Sequence, residues 1–132
     1  PVCDGPLGAL LSTVVAKIAH LPIRLRGTFC GSVAHADPAS EWCLVTATLD
    51  GEMVAMRQGG ERVIAAQDYF EGVMSTALAE DELLAAVRLP MLAEGTKFGF
   101  QEFSRRAGDF AIAMALVTYR QGPRRCGLCR SR

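Results

Sequence analysis

Apolar residues recur at helical spacing in the first segment of the chain. Six of them would share one helix face: Leu7, Leu10, Leu11, Val14, Val15 and Ile18. We predict a helix that ends at His20, because Pro22 disfavours a helical conformation for the residue before it. Residues 23–26 then alternate between apolar and basic side chains, and they predict a short extended segment that runs into a stretch rich in glycine and small residues.

A second helix is predicted after the segment Asp37-Pro38-Ala39-Ser40-Glu41. Asp37 is a candidate cap, proline is tolerated in the first turn of a helix, and the compact apolar run from Trp42 to Leu49 would form its body.

Strand patterns dominate from residue 53 onward. Residues 53–56 and 62–64 flank Gln58-Gly59-Gly60 and predict a β-hairpin. We further predict a helical turn at 68–70, strands at 83–89 and 98–103, an apolar helix at 110–117 and a disordered tail at 121–132. The predicted fold class is α+β, with a small, mostly antiparallel sheet and flanking helices.

Length and charge narrow the classes of function. The chain has 132 residues, half of them apolar, which suits one main body with appendages. Fourteen basic residues balance fourteen acidic ones, and this argues against nucleic acid or an anionic membrane surface as a partner. Residues 1–119 carry nine of the basic and all of the acidic residues, so the body is acidic and the tail is basic.

Cysteines and termini indicate the compartment. Five scattered cysteines are a poor disulfide framework, so we expect free thiols and a cytoplasmic location. No apolar stretch approaches the roughly 20 residues of a membrane span. The start lacks both a methionine and a signal peptide and is interpreted as truncated, and the change of composition at residue 121 suggests a chain cut from a longer one or out of its reading frame.

The stretch from Gly27 to Ser32 carries the first candidate chemistry. A dinucleotide pyrophosphate requires exposed backbone N–H groups, hydroxyl donors and small side chains that let the backbone approach. Thr28, Gly31 and Ser32 supply these groups. The alternative is an ordinary turn, because glycine-rich turns are common without any ligand.

Four ordered segments carry a family resemblance. Residues 26–41, Arg-Gly-Thr-Phe-Cys-Gly-Ser-Val-Ala-His-Ala-Asp-Pro-Ala-Ser-Glu, resemble the second flavin-contacting motif of the FAD-binding subunits of molybdenum hydroxylases, the xanthine dehydrogenase and carbon monoxide dehydrogenase family. Residues 68–72, 82–90 and 103–111 agree with that family in order and spacing. The resemblance runs from about Leu7 to Tyr119 and identifies the chain as similar to an internal piece of such a subunit.

The resemblance implies non-covalent FAD and a set of contacts. Glu41 would accept hydrogen bonds from the adenosine portion, Leu83 and Leu84 would lie beside the isoalloxazine ring, and Gln101 stands where some members have a lysine. Cys30 stands where many relatives have a glycine, which would place a thiol at the cofactor. The full candidate set is Thr28, Cys30, Gly31, Ser32, Asp37, Glu41, Leu83, Leu84 and Gln101.

The same resemblance implies an incomplete site. We expect residues 1–92 to be the second subdomain of a PCMH-type FAD-binding domain and residues 93–120 to begin the C-terminal domain. The first subdomain, with its A-G-G-x-S-like pyrophosphate loop, has no counterpart in the sequence. Each missing charge-assisted hydrogen bond is worth about 1.5–3 kcal/mol, so tight FAD binding by this chain alone is not expected.

The implied function is electron transfer from iron–sulfur clusters through FAD to an acceptor, with a molybdopterin-binding large subunit and a [2Fe-2S] small subunit as partners. One alternative is a truncated, non-catalytic remnant that only mediates subunit assembly. Another is a small zinc module on Cys126 and Cys129, which lacks the other two ligands that zinc requires. We expect no catalytic residue and no metal site, and His35 is better explained as a structural histidine than as a general base.

Overall fold

The computed structural model describes residues 4–120 and 124–130; within the second range it describes the backbone, together with Gly127. Five helices lie in this part of the chain: α1 (Gly5–Val15), α2 (Leu21–Arg24), α3 (Phe29–His35), α4 (Glu41–Thr48) and α5 (Ala66–Tyr69). Its strands are β1 (Glu52–Arg57), β2 (Gly60–Ala65), β3 (Phe70–Gly72), β4 (Ser75–Thr76), β5 (Leu83–Arg88), β6 (Lys97–Phe103), β7 (Ala113–Tyr119) and β8 (Arg124–Arg130).

The described strands form three antiparallel sheets. Their orders are β2-β1-β5, β3-β4 and β6-β7-β8. The predicted α+β class is confirmed, as are the hairpin of β1 and β2 and the strands β5 and β6. The helical turn predicted at 68–70 is confirmed as α5, although Phe70 already belongs to β3.

Two hydrophobic clusters hold the elements together. The first cluster joins α1, α4 and β7 and contains Leu7, Leu10, Val14, Leu44, Val45, Leu49, Ala111, Met114 and Leu116. The second cluster joins α3, α5 and the β2-β1-β5 sheet and contains Val33, Met53, Ala55, Ile64, Ala66, Tyr69 and Leu84. Trp42 of α4 packs against both clusters, so α4 is the element they share.

The boundary of the first helix differs from the prediction. α1 ends at Val15, and residues 21–24, expected to be extended or interrupted by proline, form α2. Pro22 lies in the first turn of α2, where its missing N–H costs no hydrogen bond. Arg24 ties the intervening turn to α2, since its Nη1 donates to the carbonyls of Ile18 at 2.6 Å and Ala19 at 2.7 Å.

The helix predicted at 110–117 is wrong, because Ala113–Tyr119 is the strand β7. Burial alternates along it, with Met114, Leu116 and Thr118 buried and the residues between them less so. A short apolar run fits a buried helix and a buried strand equally well, and here the pairing with β6 decided the outcome.

The predicted disorder of the tail is also wrong for residues 124–130, which form β8 against β7. Backbone pairing requires no apolar periodicity, and Gly127 lets β8 approach α4, since a Cβ there would overlap Thr48 Oγ1. Residues 121–123 and 131–132 lie outside the described residues.

Asp37 does not cap α4. Ser40 occupies that position, and Asp37 Oδ1 accepts a hydrogen bond from Ala39 N at 2.8 Å in the turn before the helix. The short side chain of Asp37 satisfies the nearer backbone amide first.

Candidate functional site

The glycine-rich stretch begins a helix. Thr28 caps α3, and its Oγ1 accepts a hydrogen bond from Gly31 N at 3.0 Å. A Cβ at position 31 would lie 2.8 Å from that oxygen, so the close approach of backbone and hydroxyl depends on glycine. The first amides of a helix lack intrahelical acceptors, and they give this turn the hydrogen-bond donors that an anion requires.

A cleft opens beside α3 and the start of α4. Its volume is about 230 Å³. Three separate parts of the chain line it: Ile18, Ala19 and Ile23; Ser32, His35, Asp37, Ala39, Ser40 and Glu41; and Gly108, Asp109 and Phe110.

Two hydroxyls and a carboxyl give the cleft its polar wall. The Oγ atoms of Ser32 and Ser40 are 2.7 Å apart, which ties α3 to the residue that precedes α4. Glu41 is only 9% exposed. Burial raises the pKa of Glu41 above its usual value, and the nearby charges of Glu102 and Asp37 raise it further, whereas its own backbone N–H lowers it. A carboxylate held here at neutral pH is a strong acceptor for hydroxyl groups.

The predicted cofactor residues divide into two groups. Ser32, Asp37 and Glu41 line the cleft together. Thr28 and Gly31 are exposed in the first turn of α3, which leads into Ser32.

The remaining candidates are Cys30 of α3, Leu83 and Leu84 of β5, and Gln101 of β6, and none of them lines the cleft. Cys30 Sγ is 3.9 Å from the carbonyl oxygen of Ala85, so its thiol is directed at β5 rather than into the cleft. Leu83 is 71% exposed and Leu84 is 5% exposed, since successive strand residues face opposite sides. Gln101 is exposed on β6.

The third wall of the cleft was missed from the sequence. Gly108 has a φ of +85°, and a Cβ there would overlap the His20 imidazole. This contact seats the loop between β6 and β7 on the turn between α1 and α2, and it places Asp109 and Phe110 at the cleft. The sequence shows that residues 108–110 match the family motif, but it does not show that they lie at this cleft, because their placement depends on the contact between Gly108 and His20.

A second group of charged residues lies at the start of β5. Arg62 Nε and Nη2 donate to Glu82 Oε1 and Oε2, both at 2.7 Å. The Glu82 carboxylate also accepts from Ala79 N at 2.8 Å. The hydrogen bonds from Arg62 and Ala79 lower the pKa of Glu82 from 4.5 to about 2.

Acid is therefore expected to weaken the fold through Glu82. Because its folded pKa is lower than its unfolded pKa, its contribution is present above pH 4.5 and is lost as the pH falls from 4.5 towards about 2. Thermal melts across this range should show a smaller acid loss for Glu82→Gln than for the unchanged chain. Asp81→Asn is the matched control, since Asp81 lies 4.0 Å from Arg57 and is exposed. Equal acid losses for the unchanged chain and Glu82→Gln would contradict the expectation.

No helix in residues 4–120 is long and apolar enough to cross a membrane. Among the described side chains, no group of three or more histidine, cysteine, aspartate or glutamate residues could hold a metal ion. The side chains of Cys126 and Cys129 lie outside the described part, so the zinc alternative stays a prediction.

Comparison with known proteins gives one consistent result. The family model described as FAD binding domain in molybdopterin dehydrogenase matches residues 7–92. The nicotine 6-hydroxylase medium subunit of Paenarthrobacter nicotinovorans is 44% identical over 108 residues, which cover 82% of this chain and 38% of that protein. The caffeine dehydrogenase subunit beta of Pseudomonas sp. (strain CBB1) is 38% identical over 109 residues, which cover 82% of this chain and 37% of that protein.

A solved structure agrees. Quinoline 2-oxidoreductase from Pseudomonas putida 86 superposes with a TM-score of 0.85 at 36% identity, over 92% of this chain and 44% of that one. The chain thus spans about two fifths of the length of the curated relatives it matches.

Proposed function

Because the chain belongs to the family of FAD binding domains in molybdopterin dehydrogenases, we propose that the cleft between α3, α4 and the β6–β7 loop is its part of the FAD site. FAD is the cofactor of this family. The observation that carries the proposal is the convergence of Ser32, Ser40 and the nearly buried Glu41 on one cleft beside the first turn of α3.

The residues present fit part of a flavin dinucleotide. Glu41 offers a carboxylate for sugar hydroxyls, and the hydroxyl of Thr28 and the first amides of α3 offer donors for phosphate oxygens. The volume of about 230 Å³ is below the roughly 300–1,000 Å³ of a ligand pocket. The described residues therefore supply one side of the site and leave the other side to further contacts.

Each candidate residue takes a role in this proposal. Glu41 accepts hydrogen bonds from the adenosine portion, and Asp37 shapes the turn that precedes α4. Thr28, Gly31 and Ser32 face the pyrophosphate, and Cys30 joins α3 to β5 through Ala85. Leu83 presents an exposed apolar side chain to the isoalloxazine ring, with Leu84 packed behind it and Gln101 at the rim.

The activity that follows from the proposal is electron transfer. FAD, when bound, receives electrons and passes them to an acceptor, while the protein holds it in place and sets its electrostatic surroundings. In such a complex the electrons would come from iron–sulfur clusters in a [2Fe-2S] small subunit, and a molybdopterin-binding large subunit would oxidise the substrate. The match to relatives called a medium subunit and a subunit beta supports membership of a multi-subunit complex.

The end of the family match supports a division of the chain near residue 92. The family match ends at residue 92, and the β6-β7-β8 sheet follows it. We propose that residues 1–92 are the second FAD subdomain and that residues 93–120 begin the C-terminal domain.

One alternative has an observation in its favour. The small volume of the cleft fits a chain that does not bind FAD tightly and only mediates subunit assembly. The two functions make different predictions for FAD binding by the purified chain.

Titration of the 132-residue chain with FAD, followed by flavin fluorescence, tests the proposal. We expect saturable binding that weakens at least tenfold in Gly31→Asp, because the new side chain meets Thr28 Oγ1 and brings negative charge to the phosphate position. Gly60→Asp is the matched control, since a Cβ there meets nothing within 4 Å and its strand lies outside the cleft. No binding at high micromolar FAD would favour the assembly function. Equal loss in both variants would show that the site is elsewhere.

A further inference from the structure

Arg62 makes three side-chain hydrogen bonds to the connection from β4 to β5. Arg62 lies on β2, which is separated from β5 by β1 in the sheet. Besides its two hydrogen bonds to Glu82, Arg62 Nη2 donates to the carbonyl of Ala77 at 2.7 Å. The Glu82 carboxylate in turn accepts from Ala79 N. Three hydrogen bonds therefore tie both ends of the 77–82 segment to a strand that does not pair with β5, and a fourth, from Ala79 N to Glu82, lies within the segment.

The geometry of this pair is specific. The Glu82 side chain is 3% exposed, whereas that of Arg62 is 50% exposed. Two parallel N–H to oxygen bonds require the planar fork of a guanidinium, which a lysine ammonium cannot reproduce. Arg57 and Asp81 lie at the same end of the hairpin, but they are 4.0 Å apart and both exposed. The pair of Arg62 and Glu82 is therefore a close, bidentate ion pair, whereas the pair of Arg57 and Asp81 is a distant, solvent-exposed one.

Glu82 directly precedes β5, so its ion pair with Arg62 lies where it can fix the first residues of that strand. Leu83 pairs with Met56 of β1 and Leu84 with Ala55, and the register of the β1–β5 ladder shifts between Val54 and Ala55. The irregularity follows directly after these two pairs, so the regular part of the ladder does not by itself fix the start of β5. A slip by one residue would exchange the exposed Leu83 for the buried Leu84.

We propose that Arg62 and Glu82 are positioning residues that set the register of β5 and thereby keep Leu83 on the exposed face for the flavin ring. The inference has two halves. The register half is that the pair sets the register of β5, and it does not depend on the proposed function. The flavin half is that this register presents Leu83 to the flavin ring, and it rests on the proposed function. Neither residue touches the cleft of Ser32 and Glu41, so both act through Leu83.

Backbone hydrogen exchange and flavin absorption, measured on the same variants, test the two halves separately. Arg62→Met should speed exchange of the amides of residues 79–84 at least tenfold while leaving α1 and β7 protected, because it releases this segment locally. Arg62→Lys should restore only part of the protection, since it keeps the charge without the fork. Arg57→Met is the matched control and should leave exchange unchanged.

The visible spectrum of bound FAD reports on the ring. We expect Arg62→Met to shift the flavin absorption bands and to weaken FAD binding about tenfold, whereas Arg57→Met should do neither. Unchanged exchange at 79–84, or equal acceleration throughout the chain, would overturn the register half. Normal flavin bands despite accelerated exchange would overturn the flavin half. If neither the unchanged chain nor any variant binds FAD, the proposed function and the flavin half are both wrong. The hydrogen-exchange rates of residues 79–84 would still decide the register half.

Discussion

Replacing Leu116 with alanine is expected to lower the free energy of unfolding by about 2–5 kcal/mol. Leu116 is fully buried on β7, in the cluster where α1, α4 and β7 meet. Its removal leaves a cavity between elements from both ends of the chain, and the neighbouring side chains can fill it only in part. A loss of this size is a large share of the total stability of a typical domain, which is about 5–15 kcal/mol.

Chemical denaturation followed by circular dichroism measures this loss. Leu25→Ala is the matched control, because Leu25 is 76% exposed on the segment after α2 and the same truncation should change stability by less than about 0.5 kcal/mol. Equal effects of the two substitutions would mean that Leu116 does not lie in a packed core.

Glu41→Gln is expected to weaken FAD binding by about 5- to 12-fold and, in the same chain, to raise its stability at neutral pH. The affinity falls because a charge-assisted hydrogen bond of about 1.5–3 kcal/mol becomes a neutral one of about 0.5–1.5 kcal/mol, a loss of about 1–1.5 kcal/mol. The stability rises because burial raises the folded pKa of Glu41, so the fold bears the cost of an unfavourable charge once the pH exceeds that pKa. The gain should disappear as the pH falls below the ordinary value of 4.5.

Glu102→Gln is the matched control for this pair of effects. Burial also raises the pKa of Glu102, whose Oε2 is buried with no hydrogen-bond partner in the described part of the chain. Glu102 does not line the cleft of Glu41. We expect Glu102→Gln to raise the melting temperature at neutral pH and to leave the affinity for FAD unchanged. An unchanged affinity in Glu41→Gln as well would remove Glu41 from the site.

The elements that could be predicted from sequence are those with a strong local signal. The hairpin of β1 and β2 has alternating residues and a glycine turn, and α1 contains five of the six apolar residues that recur at helical spacing. The strands β7 and β8 were not predicted, because their conformation is determined by pairing with neighbouring strands rather than by their own sequence pattern. The run at 110–117 has no unambiguous period, and β8 depends on the backbone groups of β7.

The candidate site shows the same limit. Ser32, Asp37 and Glu41 could be brought together because they lie within ten residues in one motif. The direction of Cys30 could not be predicted, because it depends on whether the glycine-rich stretch is a loop or the first turn of a helix. The third wall of the cleft, which contains Asp109, depends on the contact of Gly108 with His20, two residues that lie far apart in the sequence.

The sharing of α4 between the two clusters has a spectroscopic consequence. Trp42 is the one tryptophan of the chain, it packs against both clusters, and its ring centroid lies 4.6 Å from that of Phe29. Its fluorescence therefore senses the packing of both sheets at once. If the sheets melt together, the emission of Trp42 changes in one cooperative step that coincides with circular dichroism; if one melts first, the same residue records two steps.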